Sequence, residues 1–123
     1  MSSLSSKCFK DKKNFHARQR DSECIMEQYS DKLPLIIERY KNEKALPVID
    51  KIKFLVPSDM TIGTLNSILR RRLQLNSTQA LFLLVNNRNM FTASMPICDV
   101  YRDEKDEDGF LYIVYASQEV FGS

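Results

Sequence analysis

Histidine and cysteine are scarce in this chain of 123 residues: His16 stands alone, and Cys8, Cys24 and Cys98 are odd in number with no CxxC spacing. Such a set supports neither a zinc site nor a disulfide framework, so reduced thiols are expected. A single histidine offers no nucleophile–base pairing, and the three scattered glycines, Gly63, Gly109 and Gly122, form no phosphate-cradling loop. The chain is therefore expected not to be an enzyme and to hold no metal or other cofactor. No apolar run approaches the roughly eighteen residues of a membrane span. Met1-Ser-Ser-Leu-Ser-Ser6 lacks the apolar stretch of a signal peptide, and a cytoplasmic location is expected. Repeats and low-complexity tracts are missing too.

What is present describes one globular domain. The hydrophobic fraction is 43% and the charged fraction 28%, enough for a core that needs no staples. The net charge of +2 hides an asymmetry. Lys7, Lys10, Lys12, Lys13, Arg18 and Arg20 face only Asp11 in the first twenty residues, whereas Arg102-Asp-Glu-Lys-Asp-Glu-Asp108 is acidic. The basic arm suits acidic partners, among them microtubules, nucleic acid, anionic lipid or acidic peptides, and equally suits a solvated helix face.

Asn14 is placed to cap a helix over residues 15–29, and a shorter helix is expected around residues 6–12. Leu33-Pro-Leu-Ile-Ile-Glu-Arg-Tyr40 and Asp50-Lys-Ile-Lys-Phe-Leu-Val56 read as an antiparallel hairpin, turned at Asn42-Glu-Lys44 and closed by Pro57. Thr61 is the expected cap of a helix carrying Ile62, Leu65, Ile68, Leu69 and Leu73, with Arg70, Arg71 and Arg72 at its C-terminal end. Gly63 weakens its first turn. A strand over 80–85, a turn at Asn86-Asn87, a short helix from Pro96 through Glu104, and a strand over 110–115 complete the order. Hairpin, crossing helix and two further strands make an α+β fold of the ubiquitin-like β-grasp type, a four-stranded mixed sheet with two additional N-terminal helices. Its parts are an N-terminal helical extension (1–30), a core (31–117) and a flexible C-terminal tail (118–123), in one structural unit.

Strand parity shows that both sheet faces are apolar. Leu33, Leu35 and Ile37 share one face of the first strand, and Pro34 and Ile36 share the other. Ile52, Phe54 and Val56 lie opposite Lys51, Lys53 and Leu55. In the last strand Phe110, Tyr112 and Val114 back onto Leu111, Ile113 and Tyr115. One face receives the crossing helix, and the N-terminal helices are the natural cover of the other. Two outcomes stay open: full closure, or a residual groove rimmed by lysines beside an edge strand, suited to an extended peptide.

Beyond the last strand, Val120-Phe121-Gly122-Ser123 leaves a glycine past any core. A residue without Cβ lets a narrow enzyme cleft grip the backbone, and an ordinary frayed terminus is the other reading.

Lys32-Leu-Pro-Leu-Ile-Ile-Glu-Arg-Tyr-Lys41, Asp50-Lys-Ile-Lys-Phe-Leu-Val-Pro57, Arg70-Arg-Arg-Leu-Gln-Leu-Asn76, Phe82-Leu-Leu-Val85 and Asp103-Glu-Lys-Asp-Glu-Asp-Gly-Phe-Leu-Tyr112 closely resemble the autophagy ubiquitin-like modifiers, and among them the microtubule-associated light-chain-three branch. The resemblance runs from about Phe9 to Gly122. It implies trimming by a cysteine protease that removes Ser123 after Phe121-Gly122. ATP-dependent activating and conjugating enzymes then join Gly122 to phosphatidylethanolamine, placing the protein on autophagosome membranes. Phe82 and Leu84 match positions that meet the processing protease. Cargo receptors and adaptors with an aromatic-x-x-aliphatic motif would be recruited through two pockets. Asp21, Ile25, Pro34, Ile36, Lys53, Leu55 and Phe110 match the aromatic pocket. Phe54, Val56, Pro57, Leu65 and Ile68 match the aliphatic one, and Lys12, Lys13, Lys32, Lys51 and Arg72 would attract the motif's acidic flank. Departures from the family pattern at His16, Ser30, Gly63 and Cys98 touch none of these positions.

Overall fold

The two longest described helices each start at a polar side chain that caps them. In the computed structural model, which describes residues 8–88 and 92–118, the short helix α1 (Phe9–Lys12) is followed by α2 (Phe15–Gln28). Asn14 caps α2, its Oδ1 accepting from the Ala17 N–H at 2.9 Å, which satisfies one of the donors a helix start leaves unpaired. Strands β1 (Lys32–Arg39) and β2 (Lys53–Pro57) then pair antiparallel, with Pro34 opposite Leu55 and Ile36 opposite Lys53. Helix α3 (Ile62–Arg72) begins at Thr61, whose Oγ1 accepts from the Thr64 N–H at 3.2 Å. Strand β3 (Phe82–Leu84), helix α4 (Ile97–Glu104) and strand β4 (Leu111–Ala116) follow. The sheet order is β2-β1-β4-β3, with β1 and β4 parallel at the centre and antiparallel pairs on both sides. This is the ubiquitin-like β-grasp expected from the order of elements.

Both faces are used. Leu33, Leu35, Ile37, Phe54, Val56, Leu111, Ile113 and Tyr115 pack with Leu65, Leu69 and Leu73 of α3 and its C-terminal end in the main core. On the reverse face Ile36 and Phe110 pack with Phe9 from α1 and Ile25 from α2 in a second, smaller cluster. Each fully buried side chain of this size contributes about 1.5–3 kcal/mol. Ile52 departs from its expected place. It lies just before β2 and packs against both clusters.

The hairpin is looser than its sequence suggests. β2 starts at Lys53, and residues 40–52 form an irregular connection in place of a tight turn and an early strand. Leu46 and Ile49 are 2% and 6% exposed, so this segment folds back onto the main core. Its polar groups find distant partners. Tyr115 donates its hydroxyl to the Pro47 carbonyl at 2.6 Å and accepts from the Ile49 N–H at 2.8 Å, while Arg39 donates to the Leu46 carbonyl at 2.9 Å.

Glycine has a specific use at two positions. Gly109 has φ +94°, a conformation that side chains rarely adopt, and a Cβ there would overlap Ser22 Oγ on α2. Gly63, which looks like a weak helix start, is where the loop through Ala93 meets α3. A Cβ at 63 would lie 3.0 Å from the Ala93 carbonyl oxygen, and the Gly63 N–H donates to that oxygen at 2.9 Å. Asn86 and Asn87 turn the chain with φ of +52° and +62°, as their residue type allows.

Glu43 is the unexpected member of the 40–52 connection, a carboxylate only 2% exposed. It accepts from the N–H groups of Ala45 at 2.9 Å, Leu46 at 3.0 Å and Ser117 at 2.6 Å. Burial by itself would raise this carboxyl, but the hydrogen bonds it accepts, first those from Ser117 and then those from Leu46 and Ala45, outweigh it and hold it below the usual carboxylate range. A depressed folded-state value means that the stabilisation is present above the unfolded value of about 4.3 and is lost as the pH falls through the folded value. Glu43→Gln is therefore expected to unfold at lower urea concentration than the parent at pH 7. Urea titrations at descending pH should show that gap narrowing below about pH 4.

Candidate peptide-binding groove

Asp21 and Ile25 lie one turn apart on α2 and so share the face packed on β1. Beneath them Pro34 and Ile36 are buried, with Leu55 and Lys53 directly opposite on β2. Phe110 lies just before β4 and is fully buried. The residues matched to the aromatic pocket are thus brought together between α2 and the reverse face of the sheet. Their floor is closed by Phe9, whose ring stands edge-on to Phe110 with centroids 5.4 Å apart. Leu55, 37% exposed, is the part of the set that reaches solvent most freely. Lys53 Nζ lies 2.5 Å from Asp21 Oδ2, Lys13 Nζ lies 3.5 Å from the same oxygen, and both ammonium groups stand 5.9 Å from the Phe9 ring centroid. Part-exposed pairs of this kind contribute about 0–1 kcal/mol, so opening this rim costs little.

The second set divides by burial. Phe54, Val56 and Leu65 are 7%, 4% and 0% exposed and belong to the main core, while Pro57 and Ile68 are half-buried above them. Lys51 Nζ and Arg72 Cζ each lie 5.5 Å from the Phe54 ring, and Arg72 Nε donates to Asp50 Oδ1 at 2.9 Å. Of the remaining cations, Lys12 is exposed and Lys32 half-buried at the first residue of β1. Apart from Pro57, which ends β2 with the parity of Leu55, the two sets therefore lie on opposite sides of β2, an edge strand of the sheet. Parity is the cause: Lys53 and Leu55 point to the α2 side, Phe54 and Val56 to the α3 side.

At the opposite edge, Phe82 lines a cleft of about 390 Å³ with Ile62, Gly63, Asn66, Leu81, Leu83 and Ala93. Leu84 is 4% exposed and pairs with Val114. A second cleft, of about 280 Å³, lies beside α4 between Arg88 and Asp99 through Glu104. Phe121, Gly122 and Ser123 lie outside the described residues. Among the described residues there is no group of histidine, cysteine and acidic side chains that would hold a metal ion, and no helix is long and apolar enough to cross a membrane.

Residues that sequence reasoning left out hold the groove's wall in place. Asp108 is fully buried, accepts from Arg18 Nη1 at 2.6 Å, and with Oδ1 takes the Phe110 N–H at 2.9 Å. The Tyr112 hydroxyl donates to Asp108 Oδ2 at 2.5 Å; burial and this bond push the phenol well above its ordinary range, against the opposing charge of Arg18. Ser22 donates to the Asp108 carbonyl at 2.5 Å. The Phe9 N–H donates to Glu38 Oε2 at 2.8 Å, and Lys10 Nζ to Asp106 Oδ1 at 2.7 Å. Both added helices are thereby fastened to β1 and to the turn before β4. The local signal was Phe9, an aromatic side chain set among Lys7, Lys10, Asp11, Lys12 and Lys13.

A sequence model of the family described as "Autophagy protein Atg8 ubiquitin like" matches residues 17–122. The chain belongs to the Atg8 family of ubiquitin-like autophagy proteins. It is 52% identical to Protein lgg-2 of Caenorhabditis elegans over 114 residues, covering 93% of this chain and 88% of that protein. It is 46% identical to the human microtubule-associated protein 1 light chain 3 gamma, over 93% of this chain and 78% of the relative, in keeping with the light-chain-three branch. The crystal structure of Trypanosoma brucei ATG8 superimposes with a TM-score of 0.84 at 38% identity, covering 91% of this chain and 95% of that one.

Within this Atg8-family chain, removing the cation from the buried Arg18–Asp108 pair leaves a carboxylate without its charge partner. Arg18→Ala is expected to lower the unfolding free energy by about 3–5 kcal/mol, measured by urea denaturation.

Proposed function

We propose that this protein is a modifier without enzymatic activity of its own. It is trimmed after Gly122, conjugated through Gly122 to phosphatidylethanolamine, and carried from the cytoplasm to autophagosome membranes. There it recruits cargo receptors and adaptors. The observation that supports recruitment most is the placement of the two residue sets on opposite sides of the β2 edge. In an extended peptide, side chains at i and i+3 point to opposite faces and lie about 10 Å apart along the strand. An aromatic-x-x-aliphatic segment added to β2 as a further strand would turn its aromatic residue toward Ile36, Leu55 and Phe110 and its aliphatic one toward Ile68 on α3. Backbone hydrogen bonds along the edge supply affinity and the pockets specificity. Lys12, Lys13, Lys32, Lys51 and Arg72 would draw in acidic flanking residues, acting mainly on association rate and salt sensitivity.

Conjugation rests on the tail sequence and on family membership. The processing protease would hydrolyse the Gly122–Ser123 amide, consuming water and releasing serine. ATP would adenylate the new carboxylate with loss of pyrophosphate, thiols of the activating and conjugating enzymes would carry it as a thioester, and the lipid amine would displace the last thiol. Phe82 and Leu84 are the proposed protease contacts. A lipid with two acyl chains anchors stably, each buried methylene contributing about 0.8 kcal/mol.

A purely electrostatic role of the basic arm toward microtubules or nucleic acid is the weaker reading. Lys10, Lys13 and Arg18 already face Asp106, Asp21 and Asp108, which reduces the arm's free charge.

Leu55→Ala is expected to weaken binding of a synthetic aromatic-x-x-aliphatic peptide with an acidic flank by about tenfold. Calorimetric titration reads this, and unchanged affinity would overturn the groove. Exposure to the family's processing cysteine protease should shorten the chain by the mass of one serine, read by intact mass. Lipidation of a Gly122→Ala variant would overturn the conjugation.

A further inference from the structure

A buried carboxylate needs a reason to be where it is, because removing it from water is costly unless hydrogen bonds replace the lost solvent. Two of the three N–H groups that Glu43 accepts, those of Ala45 and Leu46, are local and would close the turn by themselves. The third comes from Ser117, 74 residues away, at the first position beyond β4. The connection that carries Glu43 does not need this bond for its own placement. Pro47 and Ile49 are clamped by the Tyr115 hydroxyl and Leu46 by Arg39. Ser117 is only 6% exposed, so its N–H lies out of reach of bulk water. The Ser117 N–H bond to Glu43 ties the first residue beyond β4 to the β1–β2 connection.

We infer that Glu43 is a positioning residue for the chemistry at Gly122, a latch that fixes Ser117 and so limits where Gly122 can be presented to an enzyme. The inference rests on the proposed trimming after Gly122. Residues 118–122 span at most about 18 Å when fully extended, so the position of Ser117 sets the point from which an enzyme must reach Gly122. With the latch open, the backbone of Ser117 must be ordered again each time the tail enters a cleft, and ordering one residue opposes binding. The cost falls on formation of the enzyme–substrate complex, while the bond-breaking step, carried out by the protease, is unaffected.

The test uses the full chain as substrate for the processing cysteine protease, with KM and kcat measured separately for release of serine. Glu43→Gln is expected to raise KM about five- to tenfold and leave kcat within about twofold. Ser117→Pro, which deletes the donor and keeps Glu43, should give the same KM increase, and the double variant no further one. Tyr115→Phe is the control: it removes the clamp on Pro47 and Ile49, lowers stability, and should leave KM unchanged. Amide exchange supplies a readout independent of the protease, with Ser117 protected in the parent and in Tyr115→Phe and unprotected in Glu43→Gln. A parental KM in Glu43→Gln, an unprotected Ser117 amide in the parent, or an equal KM increase in Tyr115→Phe would each overturn the latch. A parent chain that is not cut after Gly122 would instead overturn the proposed trimming, and this role with it.

Discussion

Five consecutive residues of β1, Leu33 to Ile37, are buried, and a strand buried at every position has to be covered on both faces of its sheet. Much of the rest of the molecule can be read as a consequence. The helix α3 covers one face with Leu65, Leu69 and Leu73, and the fold would be complete there if the reverse face were polar. It is not, since Ile36 and Phe110 are fully buried on it. Phe9 and Ile25 come from outside the β-grasp to cover them. The N-terminal helices are therefore part of the folded unit, and the wall they form is one side of the candidate groove.

Small helices with little apolar surface do not hold themselves down. α2 buries only Ser22 and Ile25 fully, so hydrophobic burial there is modest and polar ties carry more of the docking. Asp108 takes Arg18 from α2 while ordering its own turn through Phe110, and Glu38 on β1 takes the first N–H of α1. The same device recurs at the other end of the sheet. Glu43, buried and bound to N–H groups, joins the β1–β2 connection to the end of β4. In each case a carboxylate sits at the junction between an irregular or added segment and the core. Its bonds are directional, so it sets where that segment lies as well as whether it stays.

The groove follows from an edge that the covers leave free. β2 is paired on one side only, and its alternation sends Leu55 toward α2 and Phe54 toward α3. One strand thus presents side chains to both faces of the sheet. The cations around it are partly engaged with Asp21 and Asp50, so the groove is closed by weak, solvent-screened pairs.

Caps, turns and faces were legible in the sequence because they depend on residues a few positions apart: Asn14 and Thr61 start their helices, Asn86-Asn87 turns, and strand parity sorts Leu35 from Ile36 onto opposite faces. The two residue sets were assigned from family resemblance; parity puts Lys53 and Leu55 on the α2 side and Phe54 and Val56 on the α3 side, with Pro57 the exception. What the sequence could not reveal depends on partners far away along the chain. Glu43 reads as an ordinary turn residue until Ser117 arrives 74 residues later, Arg18 as one more surface cation until Asp108 meets it 90 residues on. Gly63 reads as a defect until the loop at Ala93 takes the space a side chain would fill. Local chemistry determined the elements and their faces. Only the tertiary fold decided which polar groups lose water, and a group's cost or value is set at that point, by whether a partner is there to receive it.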